Sequence, residues 1–297
     1  MADAIRVFAP AKINLSLHVV GQRSDGYHLL DSVVAFADVG DTLTISDASA
    51  PTLTIGGPEA SGLSPSDGNL VTEVARRFWS GAPLQIHLEK RLPVAAGIGG
   101  GSADAAACYR GLRGLAGYDP VAMDESARDA LLALGADIPM CVVSRTARVT
   151  GIGERIAPLP DIPPLPTVLV NPRVGVPTPM VFRMLEGKDN PPIDAPDATP
   201  DTLDAVIDWL EEQRNDLAAP ALSIAPVIGD VLDAIHRTEE CRLARMSGSG
   251  ATCFGIYPTV AAAKAAARML SRDWPDWWVA AAKTGVDVKP QLIRATT

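Results

Sequence analysis

Residues 93–107 read Pro-Val-Ala-Ala-Gly-Ile-Gly-Gly-Gly-Ser-Ala-Asp-Ala-Ala-Ala, and no other stretch constrains the fold of this chain as much. Gly97, Gly99, Gly100 and Gly101 crowd together ahead of Ser102 and an alanine run of strong helix propensity. Glycine lets backbone amides turn through positive φ and approach a ligand closely. A helix that starts near Ser102 leaves its first N–H groups unpaired and aims its positive end at the loop, which makes an anion site. Upstream, Leu84, Ile86 and Leu88 alternate with Gln85, His87 and Glu89, the period of a strand. Downstream, Ala103, Ala106, Ala107, Tyr109, Arg110 and Leu112 fit a helix that ends near Gly114 or Gly117. Strand, glycine loop and helix in that order describe a phosphate cradle. No Gly-Lys-Ser/Thr follows, so the loop is not a Walker A, and its glycines are too crowded for a dinucleotide fingerprint.

The rest of the chain can build the cores such a loop needs. Its 297 residues are 47% hydrophobic, enough for one large domain or two ordinary ones. A net charge of −9 argues against a general nucleic-acid binder. It does not forbid an anionic ligand, because backbone dipoles hold phosphate inside acidic proteins. Cys108, Cys141, Cys241 and Cys253 show neither C-x-x-C pairing nor metal spacing, and read as small hydrophobes in a reducing compartment. The first residues carry no apolar signal region, and no run approaches the ~20 apolar residues of a membrane span. The expectation is a soluble, cytoplasmic protein.

Strands are expected at Ile5–Ala9, Ile13–Val20, Thr42–Ile45 and Leu53–Ile55, and an amphipathic helix at Asn69–Ser80. A helix over Asp124–Leu134 stops at Gly135, and the apolar run Met140–Ser144 reads as a short strand. Residues 158–166 hold five prolines, a stiff connection that suggests a boundary between domains at 1–157 and 158–297. Thr167–Val170 reads as a strand and Thr178–Leu185 as a helix, followed by a polar loop over 187–201 without periodicity. Helices are expected at Asp201–Gln213, Pro226–Arg237 and Val260–Ser271. Strands are expected at Leu243–Met246, Thr252–Tyr257 and Trp278–Ala282. No strict β-α-β rhythm emerges, so the class is α+β. Trp274, Trp277 and Trp278 read as core packing rather than a subunit contact.

Four smaller features carry chemistry. Lys12 is a lone cation among strand-like residues in Pro10-Ala11-Lys12-Ile13-Asn14-Leu15. Taken alone it reads equally well as an edge lysine reaching solvent. Asp137 follows a helix end, where it is either a turn residue or a group at a sheet rim. Ser247-Gly248-Ser249-Gly250 is either an ordinary tight turn or a second set of backbone donors facing phosphates. Gly26-Tyr27-His28 offers aromatic faces on which a base can stack. His18, His28, His87 and His236 show no ligand spacing, so no zinc site is expected.

An early Pro-x-Lys, a central Pro-x-x-x-Gly-x-Gly-Gly-Gly-Ser and a late Ser-Gly-Ser-Gly, in that order, resemble the three motifs of the GHMP small-molecule kinases. The likeness runs from about Val7 to Val288. It implies a two-domain fold, with an N-terminal domain like domain 2 of ribosomal protein S5 and a ferredoxin-like C-terminal domain. The resemblance has the last strand return to the first domain. The active site would lie between the two. Gly21-Gln22-Arg23-Ser24-Asp25-Gly26-Tyr27-His28 narrows the match to a branch acting on a cytidine diphosphate-linked polyol of the non-mevalonate isoprenoid pathway.

Site roles carry over by position. Asp137 matches the catalytic base and Lys12 the lysine beside it. Pro93, Val94, Ala95, Ala96, Gly97, Ile98, Gly99, Gly100, Gly101, Ser102 and Ala103 match the ATP phosphate loop. Asn69 and Lys90 match positions near the adenine, and Ser247, Gly248, Ser249 and Gly250 the late glycine turn. Tyr27 and His28 match the pair that holds cytosine, Asn14 a contact to the polyol, and Thr178 a substrate-side threonine. Ala95 and Ala96 stand where some relatives carry glycine, and Asp104 where others carry asparagine. The resemblance implies ATP with Mg²⁺ held by phosphates rather than by a protein cage, Ser102 lying near it. It implies a small-molecule substrate, no nucleic acid or membrane, and a monomer or weak homodimer. Two rivals stand beside it: another GHMP kinase acting on homoserine, mevalonate or a sugar, and a nucleotide-binding regulator without catalysis.

Overall fold

The computed structural model describes residues 4–65, 68–159, 162–194, 200–286 and the backbone of 293–295. It opens with two long antiparallel strands, β1 (Ala4–Gln22) and β2 (His28–Asp47), in register from Ile5↔Ile45 to Gln22↔His28. The two strands expected before residue 21 are one, because Pro10 falls at a register shift between Pro10 and Lys12. A bulge tolerates the missing N–H of proline and re-aims neighbouring side chains. Further shifts follow between Asn14 and Ser16 and between Val19 and Gly21.

β3 (Thr52–Gly56) runs parallel to β4 (Leu84–Glu89), which pairs with the end of β2. Helix α1 (Leu70–Phe78) is capped by the Asn69 side chain, which accepts from Val71 N–H. Helix α2 (Gly100–Leu115) follows the glycine loop, and α3 (Glu125–Leu134) is capped by Asp124. The run expected as a strand at Met140–Ser144 is instead helical, α4 (Ile138–Val143). Its Pro139 lies in the first turn, where proline suits a helix, and so short an apolar run has no period to tell strand from helix. The hairpin β5 (Ala147–Gly151) and β6 (Arg155–Pro158) extends the sheet from β2 and was not anticipated.

The second half places β7 (Leu165–Asn171), α5 (Thr178–Arg183), α6 (Leu203–Glu211), α7 (Ala218–Ile224), α8 (Val227–His236), β8 (Leu243–Met246), β9 (Cys253–Ile256), α9 (Val260–Asp273) and β10 (Trp278–Thr284). α7 is a further element without a sequence signal. The short β11 (Ile293–Ala295) pairs antiparallel with β1. The main path runs β11-β1-β2-β10-β7-β9-β8, with β10 touching β2 at Thr284↔Ala37.

Three apolar clusters hold this together. One joins α1, α2 and α4 to β1, β2 and β4. Another packs α7, α8 and α9 on β7 and β9, and takes in the stacked Trp274–Trp277 pair. The third joins the halves: Ile13, Leu15 and Val33 meet Leu165, Leu169, Ile207 and Phe254. With both faces covered, β1 is buried along almost its whole length. Cys108, Cys141 and Cys253 are buried and free, and burial pushes the first two thiols up to about 12.

Positions 160–161 of the proline-rich connection and 195–199 of the polar loop lie outside the described residues. The described part of that loop is docked on β1. The Asn190 amide donates to the Val19 carbonyl, and Ile193 N–H donates to the buried Asp31 carboxylate that Arg148 also grips. Among the described residues no single helix is long and apolar enough to cross a membrane.

Candidate active site

The glycine loop turns by left-handed residues. Gly97 has φ 71° and Gly99, the N-cap of α2, has φ 64°. Space forbids side chains there as well: a Cβ on Gly97 would stand 2.5 Å from the Gly250 carbonyl oxygen, and one on Gly99 3.2 Å from Lys12 Cβ. Ala95 adopts φ 52° although it carries a Cβ, a conformation glycine would hold without strain. No side chain caps α2, so its first amides remain open toward the loop.

A cleft of about 1000 Å³ runs along this loop, at the upper end of ordinary ligand sites. Pro93, Val94, Ala95, Ala96, Gly97, Gly99, Gly100, Gly101 and Ser102 line it, while Ile98 and Ala103 are buried beneath. Lys12 and Asp137, 125 residues apart, meet on its wall with Nζ 2.6 Å from Oδ2. The bulge after Pro10 turns Lys12 toward the loop, and Lys12 N–H donates to the Ile98 carbonyl. Asp137 takes the N-cap position of α4, yet its carboxylate caps nothing and is given to Lys12.

Asn69 also lines the cleft. Lys90 does too, but its ammonium is turned into the protein, 2.5 Å from Asp41 and 2.9 Å from Asp104. Burial alone would lower its pKa, and the two carboxylates outweigh that and raise it. Asp104 is pushed up to about 8, first by burial and then by Asp41, so it holds a proton at neutral pH. Asp41 also accepts from the amides of Arg91 and Leu92, which fixes the entry to the loop.

The late glycine turn braces the loop. Ser247 Oγ accepts from Asn14 N–H at 3.0 Å and donates to the Gly97 carbonyl at 3.3 Å. The amides of Ser247 and Gly250 are used within the turn, and Gly248 and Ser249 line the cleft. Thr178, at the start of α5, bonds its hydroxyl to that of Ser249 at 2.7 Å. Asn14 donates to Ser32 Oγ, while its Oδ1 is buried without a partner among the described residues.

Tyr27 is exposed, and His28 stacks on Phe182 with ring centroids 4.8 Å apart. Neither Tyr27 nor His28 lines the cleft itself. Phe182 does, so the pair sits at its outer end. Burial, then Lys188, lowers the His28 pKa, and its buried Nε2 has no partner among the described residues. Phe182 was not singled out from sequence. Its signal is its position four residues after Thr178, on the same helix face. Asp41 was missed too, since a lone aspartate in a strand has no local pattern. Ser102 and Asp137 bring oxygen donors to the cleft, the ligand type a hard divalent cation takes. Among the described residues no group of three or more His, Cys, Asp or Glu gathers around a metal position.

Comparison with known proteins agrees with this geometry. The model of the GHMP kinases N terminal domain matches residues 69–145, and that of the GHMP kinases C terminal matches 198–276. A 4-diphosphocytidyl-2-C-methyl-D-erythritol kinase of Roseobacter denitrificans is 51% identical, with 95% of this chain and 94% of that protein covered. The protein of the same name from Dinoroseobacter shibae is 52% identical, with 92% of each covered. A crystal structure of 4-(cytidine 5'-diphospho)-2C-methyl-D-erythritol kinase superposes with a TM-score of 0.74 at 32% identity, over 95% of this chain and 99% of that one. A homoserine kinase from Cytophaga hutchinsonii, at 17% identity and a TM-score of 0.63, shares the fold. With its glycine loop, its facing lysine and aspartate and this kinship over nearly its whole length, the chain belongs to the GHMP kinases, in the family of the 4-diphosphocytidyl-2-C-methyl-D-erythritol kinases.

Proposed function

We infer that this chain transfers the γ-phosphoryl group of ATP to the 2-hydroxyl of 4-diphosphocytidyl-2-C-methyl-D-erythritol, giving the 2-phosphate and ADP, a step in the non-mevalonate route to isoprenoid precursors. The observation that carries this is the 2.6 Å contact of Lys12 with Asp137 on the wall of the cleft that the glycine loop lines. Phosphoryl transfer asks a protein mainly for positioning and charge stabilisation. The open amides at the start of α2 hold the phosphate tail, each dipole contact contributing about 0.3–1 kcal/mol when exposed and more when buried. The acceptor is a tertiary alcohol, a weak acid. Asp137 takes its proton as the oxygen bonds to phosphorus, and Lys12 orients that carboxylate and faces the developing negative charge. Ser102 would help hold a Mg²⁺ ion brought with the triphosphate, which would supply charge neutralisation there.

At the other end, Tyr27, His28 and Phe182 hold the cytosine by their ring faces. Asn14 Oδ1, a buried acceptor without a donor, suits a polyol hydroxyl, and Thr178 flanks the same region. Asn69 and the backbone near Lys90 take the adenine side. Residues 1–157 thus form most of the nucleotide wall, and 158–297 complete the acceptor wall. The chain acts on small molecules in the cytoplasm, as a monomer or weak homodimer, apart from nucleic acids and membranes. Its net charge of −9 supports the first of these exclusions. The test is ADP release with the cytidine substrate, homoserine, mevalonate and galactose in parallel. Turnover is expected with the cytidine substrate alone. Comparable kcat/KM with any of the others would overturn the assignment.

A further inference from the structure

Arg110 is 1% exposed and heads the largest fully buried side chains, yet the phosphoryl-transfer scheme gives it no task. It lies on α2. Its Nη1 donates to the Cys141 carbonyl at 2.5 Å, and at 3.4 Å to both the Val142 carbonyl and Ser144 Oγ. Its Nη2 donates to the Phe8 carbonyl at 2.6 Å. None of these partners is a carboxylate. Burial pushes the guanidinium down to about 10, so it stays charged at neutral pH, held by dipoles alone. A buried cation without a counter-ion is costly, and the carbonyls at the end of a helix offset that cost.

The three elements it joins are those that carry the reaction. Cys141 and Val142 are in the last turn of α4, which spans only Ile138–Val143 and begins directly after Asp137. A helix this short moves as one body, so holding its carbonyl end also holds Asp137. Phe8 is on β1, four residues before Lys12 and just ahead of the register shift at Pro10. Arg110's own helix opens at Gly100, on the phosphate loop. The guanidinium is a planar fork of fixed geometry, so one side chain spaces all three elements.

We propose that Arg110 is a positioning residue that sets the separation of the Asp137 carboxylate, the Lys12 ammonium and the phosphate loop. This rests on the kinase reading above. Arg110→Lys keeps the charge but cannot reach Phe8 and Cys141 together. Its kcat, per site titrated with ADP by calorimetry, is expected to fall on the order of 10- to 100-fold. The KM for ATP should stay within about twofold, because only transition-state geometry is lost. A purely structural arginine would lower the titrated fraction and the melting temperature and leave kcat per titrated site at the wild-type value. That result would overturn the proposal.

If R110K does not fold, Ser144→Ala decides, since Ser144 Oγ both donates to the Cys141 carbonyl at 2.6 Å and accepts from Arg110. A loss of kcat of about three- to tenfold at constant KM supports the proposal, and an unchanged kcat overturns it. Wild-type protein that releases no ADP with the cytidine substrate overturns the kinase reading, and the proposal with it.

Discussion

The two walls of the cleft are built on opposite plans. The nucleotide wall is mainly backbone, and behind it one buried acceptor, Asp104 Oδ1, has no partner among the described residues. Its glycines face the ligand with amides, and the Lys90 ammonium is spent on Asp41 and Asp104. The acceptor wall is made of side chains, and it holds a buried acceptor without a partner among the described residues, Asn14 Oδ1. A buried polar atom left unpaired costs stability, so a ligand group that pairs it gains correspondingly in affinity and discrimination. Main-chain amides, by contrast, accept any phosphate tail. Grip on the common nucleotide therefore lies in conformation, and choice of acceptor lies in side-chain chemistry. Lys12 and Asp137 sit at the seam, and in the function proposed above they serve the transfer itself.

The largest effect is expected at that seam. Asp137→Asn should lower kcat by about two orders of magnitude or more and leave ATP affinity unchanged. A near-normal rate in a coupled ADP assay would remove Asp137 as the base. Next comes the nucleotide wall. Gly99→Ala forces a Cβ into a φ of 64° and to 3.2 Å from Lys12 Cβ. Strain of that kind should cut kcat/KM for ATP about tenfold or more. An undiminished value would mean that the loop does not hold the phosphates in this shape. On the acceptor wall, His28→Ala should raise the KM for the cytidine substrate about tenfold and leave that for ATP alone. Equal changes in both constants would erase the distinction between the walls.

The smallest effect concerns Asp104, buried behind the nucleotide wall. Asp104, with its pKa at about 8, keeps its proton in the folded protein where the unfolded chain has lost it. The folded state thus binds more protons between an ordinary carboxyl pKa of ~4 and about 8, and stability falls as pH rises through that window. Asp104→Asn removes the titration. Its melting temperature should exceed wild type by about 2–4 °C at the alkaline end of the window, with the gap shrinking toward the acid end. A gap of equal size at both ends would show that Asp104 does not titrate there.

Much of this was legible in the residues themselves. The glycine loop, the strand before it and the helix after it follow from propensity and period within a dozen positions. The helix starts at Asn69 and Asp124, which the structure makes N-caps, and the stop at Gly135 are likewise local. The order of three motifs was enough to point to the family. Local pattern misled at Met140–Ser144, where a run too short to show a period became α4. It also split β1 at Pro10, because a bulge is a property of the pair of strands and not of one.

The sequence alone determined that a glycine loop joins a strand to a helix, and which kind of kinase owns it, because both are written in neighbouring residues. Only the tertiary structure decided that Lys12 meets Asp137, that Lys90 faces inward between two acids, and that His28 rests on Phe182. Those contacts join residues far apart in the chain. Strand register, bulges and the packing of α4 beneath α2 bring them within bonding distance, and no local propensity encodes such a meeting.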